Sequence, residues 1–388
     1  MSDFEAFTEA VTSRATHALP QAGPKLERIA ILGGGTDARL LAALAIAEGV
    51  EVRLFSAYGT ELDELRSASG ISVRGAGPVG TYQIDQARVP SVQTTAEIDS
   101  AVQGADAIFF TGPVHKYRTY AMVLADHVVD GQIIVLPEGR SLGALEASWL
   151  LRVGGCSADV TLVEIQGLPF WTQAEGNALA LSSRSGIAAA TLPSGRVGVI
   201  DALSAFYPGL VEVDSVLASG FADGSALVEL PALLMSGGGE PLPMGAVPLP
   251  ENDTFAAGLG AGQLKVIDAL ADERRAVARA FGVRNLPDTD DWVAAYAGET
   301  RGDGARPVPQ NCEGIIRDGI IGSLVPLLSA ADLLGQHLPM TQAMVTLGSA
   351  VLTADIASAG RRLETIGVQA ADVDTARKTM DAIAKGRS

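Results

Sequence analysis

The stretch Arg28-Ile29-Ala30-Ile31-Leu32-Gly33-Gly34-Gly35-Thr36-Asp37-Ala38 decides the reading of this chain, because an apolar run of strand length passes directly into a glycine-rich turn and then into a helical pattern. In Gly33-x-Gly35-x-x-Ala38 the first glycine permits a sharp turn. The second removes a side chain where phosphate oxygens approach, and Ala38 lets the helix lie close to the strand. The amide N–H groups that open the helix expected over Thr36 to Glu48 face that anion, and the helix dipole adds to the attraction. An apolar face of Leu40, Leu41, Leu44 and Ala45 follows, then a second strand at Glu51–Phe55. The expectation is a dinucleotide pyrophosphate seated on Gly33, Gly34, Gly35, Thr36, Asp37 and Ala38. The competing reading is a glycine turn in some other α/β fold.

Working outward, further short apolar runs at Ala107–Thr111, Gln132–Leu136 and Val160–Glu164 alternate with helical segments, the pattern of a parallel sheet with crossover helices. Residues 3 to 19 read as an amphipathic helix, Pro20–Pro24 as a turn, and Ile71–Val89 as a small side hairpin of little chemical consequence. After about residue 200 the alternation gives way to helices. Leu259–Phe281 carries Leu264, Ile267, Leu270 and Val277 on one side and Asp268, Asp272, Glu273, Arg274 and Arg275 on a face expected to be solvated. Ile320–Leu334 and Met344–Ala359 add two apolar helices, while Ser236 to Pro250 is too rich in glycine and proline for regular structure.

At 388 residues the chain suggests two domains, expected at 1–200 and 201–388. A net charge of −17 argues against a nucleic-acid surface, so the expected partner is a small molecule. The two cysteines, Cys156 and Cys312, show no metal-ligand spacing, and no metal is expected. No stretch reads as long and uncharged enough to cross a membrane. Asp3, Glu5 and Glu9 stand where a signal peptide carries positive charge, so the expectation is a cytoplasmic protein, with a homodimer open because some helices are apolar over much of their surface.

Several segments, taken in order, resemble the opine dehydrogenases of the octopine/nopaline dehydrogenase group. They are the glycine turn, Thr111-Gly112-Pro113-Val114-His115, Leu136-Pro137-Glu138-Gly139-Arg140, and Glu164-Ile165-Gln166-Gly167-Leu168-Pro169-Phe170. The later ones are Leu264–Gly282, Arg317-Asp318 with Leu324-Val325-Pro326, and Gly360-Arg361-Arg362-Leu363 leading to Gly367. The resemblance implies an N-terminal Rossmann-type parallel-sheet domain followed by a mainly α-helical domain, with a hydride-transfer cleft between them. It implies reduction of the imine formed between a 2-oxo acid and an amine or amino acid. In that family a histidine pairs with an aspartate as proton donor, and an arginine five residues before that aspartate holds a substrate carboxylate. An ungapped match puts Asp318 on the aspartate, Glu229 on the histidine and Glu313 on the arginine; a short gap moves Arg317 toward the arginine's role. A carboxylate-rich pocket of this kind would favour a cationic or neutral substrate.

Glu229 can carry a proton if burial or a nearby Asp318 weakens its acidity; otherwise it pairs with a backbone N–H or an arginine. His115, at a strand end, is the best placed of the four histidines to meet cofactor or substrate. Thr111, Gly112 and Pro113 are expected on the nicotinamide side. Ser56 ends the second strand where an acid would read the ribose of NAD; with no acid there, the expectation is NADP(H) over NAD(H). Glu138 and Glu164 line the cleft or else cap a helix or pair with Arg140. The functional expectation is an NAD(P)H-dependent oxidoreductase with Asp318, Glu229 and His115 as catalytic candidates and Glu313 and Arg317 as substrate contacts. Its rivals are another hydroxy acid dehydrogenase and a non-catalytic dinucleotide binder.

Overall fold

The computed structural model describes residues 23–68, 70–87, 89–235 and 254–384. The helix expected over 3–19 and the loop expected over 236–250 lie outside the described residues.

The chain begins as β1 (Arg28–Leu32), α1 (Thr36–Ala47), β2 (Glu51–Phe55), α2 (Gly59–Ser67), β3 (Gly70–Gly75), β4 (Gly80–Ile84) and β5 (Ser91–Thr95). It continues with α3 (Ile98–Val102), β6 (Ala107–Phe110), α4 (Val114–Leu124), β7 (Ile133–Leu136), α5 (Gly143–Val153) and β8 (Thr161–Ile165). Then come β9 (Phe170–Glu175), β10 (Ala178–Ser183), β11 (Ile187–Leu192), α6 (Val199–Ser204) and β12 (Leu210–Glu212). These strands form a 12-stranded sheet in the order β12-β11-β8-β7-β6-β1-β2-β5-β4-β3-β10-β9. β1 lies parallel between β2 and β6, so the chain leaves β1 to one side and returns on the other. That reversal opens a crevice at the carboxyl ends of β1 and β6, where open α/β sheets bind ligands. The strands read as unbroken apolar runs because both faces are buried: Ala30, Leu32, Ile108 and Phe110 join one core cluster, and Ile29, Ile31, Ala107 and Phe109 join the other. The hairpin expected at 71–89 is β3 and β4, antiparallel to one another and built into the main sheet rather than standing aside. Strands also run past residue 200, since β12 pairs with β11.

The rest is helical: α7 (Val216–Ala222), α8 (Ser225–Leu234), α9 (Ala261–Ala280), α10 (Thr289–Ala297), α11 (Cys312–Gly319), a π-helical segment (Ile320–Leu324), α12 (Val325–Leu333), α13 (Pro339–Val351) and α14 (Val373–Ala384). These helices hold a third core cluster of their own, and they meet the sheet through Val216, Val277, Leu327 and Met380 of the first. In α9 the stripe of Ile267, Leu270, Arg274 and Val277 is buried, whereas Leu264 is exposed. Both assignments differ from the sequence expectation, because Arg274 continues the same helical stripe and finds polar partners inside. By length and mean hydropathy (1.3 and 1.4), Val216–Leu234 and Cys312–Leu333 are apolar enough to cross a membrane, contrary to expectation. Their windows are 89% and 72% buried within the fold, which makes them core helices.

The π-helical segment has an identifiable cause. Pro326 lacks the N–H that would bond to the Gly322 carbonyl one turn earlier. That carbonyl instead accepts from Ser141 N at 2.9 Å and Arg361 Nη1 at 3.3 Å, and Ile321 O accepts from Arg361 N at 3.0 Å. A gap in the helical ladder thus ties the helical half to the loop after β7.

Candidate active site

Gly33 sits at φ +128°, and a Cβ there would lie 2.3 Å from Thr111 Oγ1, so only glycine fits. Thr111 laces the two strand ends, its N–H (3.0 Å) and its hydroxyl (2.8 Å) both donating to Leu32 O. Gly35 has extended backbone at the N-cap of α1, no side chain caps that helix end, and a Cβ at Gly35 would meet nothing within 4 Å. Unlike Gly33, Gly35 meets no packing demand among the described residues, and its bare backbone leaves the N-terminus of α1 open to approach. With Ala38 fully buried beneath, the turn fits a diphosphate on the opening N–H groups of α1. Gly35→Leu is expected to leave the melting temperature near wild type while abolishing NADH binding by fluorescence titration; retained affinity would show the turn to be misread.

Ser56 is buried at the end of β2, where its hydroxyl donates to Glu61 Oε2 at 2.5 Å and accepts from Tyr58 N at 3.1 Å. Glu61, five residues on in α2, also sits against Gly34, where a Cβ would come within 2.6 Å of Oε2. A carboxylate therefore does stand at this edge. The premise of the NADP(H) expectation, that nothing negative is there, is corrected: the strand-end position is polar, but the next helix folds an acid onto it. Lys116 Nζ lies 4.6 Å over the Tyr58 ring nearby.

From the turn a cleft of about 440 Å³ runs toward the helical half, lined by Gly35, Thr36, Asp37, Gly112 and Pro113 on one side and by Gly314, Ile315, Arg317 and Asp318 on the other. Its floor carries Glu138, Arg140, Glu229 and Arg306. Arg140 adopts a left-handed backbone, φ +56°, as does Leu142 at +66°, a strain that aims the Arg140 guanidinium into the cleft. There it contacts Glu138 at 3.3 Å and Glu229 at 3.5 Å, while Arg306 holds Glu229 at 2.8 Å. Glu229, only 5% exposed, is thus clamped by two guanidiniums, the arginine-paired alternative of its sequence reading.

Asp318 differs. Its Oδ1 is buried with no hydrogen-bond partner among the described residues, and burial pushes its carboxyl up to about 7; Arg140 opposes this, Glu138 adds to it, and the Val114 N–H helps to hold the ionised form. Asp37 is likewise pushed up to about 7, by burial and then by Glu138 and Asp318. Two carboxyls able to exchange a proton near neutrality therefore flank the cleft beside the glycine turn. His115, by contrast, is exposed in the first turn of α4 and does not line the cleft; burial, then Arg317, Lys116 and Arg118, hold its imidazole below its ordinary value. On α11 Arg317 and Asp318 face the cleft and Glu313 does not, because three- and four-residue steps from Gly314 reach the former and miss the latter.

Buried polar contacts hold this floor. Arg361, 1% exposed, donates to Glu146 Oε2 at 2.8 Å and to the carbonyls of Gly139, Ser141 and Gly322. Arg274 donates to Ser141 Oγ, Gly220 O, Ser323 O and Ser323 Oγ at 3.0–3.2 Å. Against the cost of burial, Arg274 and Arg140 keep Asp223 below the usual carboxylate range. Glu164 does not line the cleft; its Oε2 accepts from Ala144 N at 2.9 Å at the start of α5, and burial pushes it up to about 7. Glu138 does line it, paired with Arg140.

Sequence reasoning missed Glu61, Trp171, Arg184, Asp223, Tyr296 and Arg306. Arg306-Pro307 lies just ahead of Asn311, whose side chain caps α11 at Gly314 N, and a capped helix bearing Arg317-Asp318 was the one signal that could have drawn attention to that loop.

No protein-family model matches the chain. It is 26% identical over 357 residues to an opine dehydrogenase of Arthrobacter sp. (strain 1C), covering 87% of this chain and 94% of that protein. It shares a fold with octopine dehydrogenase solved with NADH and pyruvate, at 18% identity and a TM-score of 0.66 over 93% of this chain and 98% of that one. It also shares a fold with yersinopine dehydrogenase bound to NADP+, at 14% identity and a TM-score of 0.58 over 93% and 99%. Related to the first over most of its length, and folded as the other two around a turn suited to a dinucleotide, this chain is an NAD(P)-dependent oxidoreductase similar to opine dehydrogenases.

Proposed function

We propose that this chain reduces the imine formed between a 2-oxo acid and an amine or amino acid in the cleft between the glycine turn and α11. The dinucleotide, when bound, supplies hydride. The chain's own residues manage the protons. Asp318 as carboxylate takes one from the incoming ammonium, and as carboxylic acid gives one to the carbinolamine hydroxyl, which leaves as water before hydride reaches the carbon. The observation carrying this reading is the buried, unpartnered Asp318 Oδ1 on a carboxyl pushed up to about 7. Arg317 lies on the same wall as a substrate contact, and residues 1–200 and 201–388 are taken as the dinucleotide and substrate halves. Incubation with reduced cofactor and a panel of 2-oxo acids crossed with amines tests it. Loss of 340 nm absorbance that requires both partners is expected; turnover without any amine would sink the imine chemistry in favour of a hydroxy acid dehydrogenase.

The cofactor under this proposal is NAD(H), since Glu61 meets the ribose edge and would repel a 2′-phosphate. Wild type is expected to bind NADH at least tenfold tighter than NADPH, and Glu61→Gln to narrow that ratio by about tenfold, the scale of one charged hydrogen bond. Equal affinities in wild type would remove Glu61 from this role.

A further inference from the structure

The arginines of the cleft are not equivalent. Arg140 and Arg306 are committed to Glu138 and Glu229. Arg184, at the end of β10, has no carboxylate at ion-pair distance among the described residues. Its guanidinium lies 4.2 Å from the Trp171 ring centroid and 5.2 Å from that of Tyr296. Its Nη1 and Nη2 make long contacts to Leu168 O (3.3 Å) and Gln166 O (3.2 Å), and its buried Nε has no partner among the described residues. Gly167 makes room for it: at φ +131°, a Cβ there would lie 2.1 Å from Arg184 Nη1. Beside it the buried Gln166 Oε1 also has no donor among the described residues. Together Gln166, Trp171, Arg184 and Tyr296 form the wall between the cleft and a second cavity of about 770 Å³.

A planar guanidinium laid on an aromatic face, with Nε–H and remaining Nη–H groups unengaged, matches the two oxygens of a carboxylate side-on. Desolvation, with Arg306 pushing the same way, also holds Arg184 below its ordinary pKa against the opposing pull of Tyr296, Glu138 and Glu229, so an arriving anion relieves an existing cost. Resting on the oxidoreductase reading of the cleft above, we propose that Arg184 binds the substrate carboxylate, entering from β10 rather than from α11, where Glu313 stands in the matched position. The acidic residues of the cleft then do not exclude an anionic substrate, because Glu229 and Glu138 are neutralised by arginines of their own.

The carboxylate belongs either to the oxo acid or to the amino partner, and the test separates them. The NADH-loaded chain is titrated with pyruvate against acetone, and with L-arginine against agmatine, following tryptophan fluorescence; Trp171→Phe identifies the reporting ring. At least one acid is expected to bind tenfold or more tightly than its counterpart lacking the carboxylate, and which pair discriminates names the source. Arg184→Ala is expected to remove that discrimination, and Arg184→Lys to keep part of it, with NADH affinity within twofold of wild type in both. Failure of wild type to bind NADH overturns the underlying reading instead. If wild type binds NADH but no acid outbinds its counterpart, or if Arg184→Ala discriminates as well as wild type, the assignment of Arg184 is wrong. Should Arg184→Ala fail to fold, the wild-type comparison and the lysine variant decide.

Discussion

Asp318→Asn is expected to lower the rate of reductive turnover by about 10² to 10⁴, the usual range for loss of a positioned acid or base, with NADH affinity unchanged. The form that takes the ammonium proton is the carboxylate, so wild-type reduction should be weak well below about 7 and rise as pH climbs through that value. The asparagine variant should lose this limb while keeping whatever dependence the amine substrate contributes. Stability moves the other way. A carboxyl raised in the fold above its unfolded value of 3.8 favours the neutral form, so its contribution is present at low pH and lost as pH climbs toward about 7. The variant should therefore melt higher than wild type at pH 7 and gain little at pH 4. Asp37→Asn removes a neighbouring like charge and should shift the activity limb to lower pH without abolishing it. If Asp318→Asn keeps both its rate and its pH limb, the proton passes through another group.

Glu229→Ala carries the largest expected cost in stability. Its carboxylate is the shared counter-charge of Arg140 and Arg306, whose side chains are each 7% exposed. Removing it leaves two buried cations facing each other's field, and losing one partner of a buried pair typically costs about 3–5 kcal/mol. Denaturant titration should register that loss. Glu229→Gln, which keeps an acceptor but no charge, should lose less and keep the pH limb assigned to Asp318. Adding Arg306→Met to Glu229→Ala should recover part of the deficit, because it deletes the stranded charge as well. A Glu229→Ala chain within about 1 kcal/mol of wild type would mean that water already solvates the two guanidiniums.

Much of the framework was legible in the chain. Gly33 was identifiable because its contact with Thr111 belongs to a turn with fixed chemistry, and the parallel strands were identifiable because both sheet faces demand apolar residues. Asp318 and Arg317, singled out by resemblance, line the cleft, and Glu313 does not, because α11 turns that residue off the cleft-facing side. Where expectation failed, the missing information was distance in space. Glu61 is five residues from Ser56, yet it reaches that hydroxyl because α2 turns it back onto the strand end. Arg274 lies among charges on paper and inside the protein in fact, since Ser141, Gly220 and Ser323 arrive from other elements to satisfy it.

The local pattern alone determined a strand, a glycine turn and a helix able to hold a diphosphate, because backbone conformation and helix-end N–H groups depend on neighbouring residues. The tertiary structure alone decided which charges are free to act. Ion pairing, burial and the raised carboxyls arise between residues far apart in the chain, such as Arg140 with Glu229 or Arg361 with Glu146. Electrostatic energy depends on separation and solvent exposure, neither of which is written in sequence order.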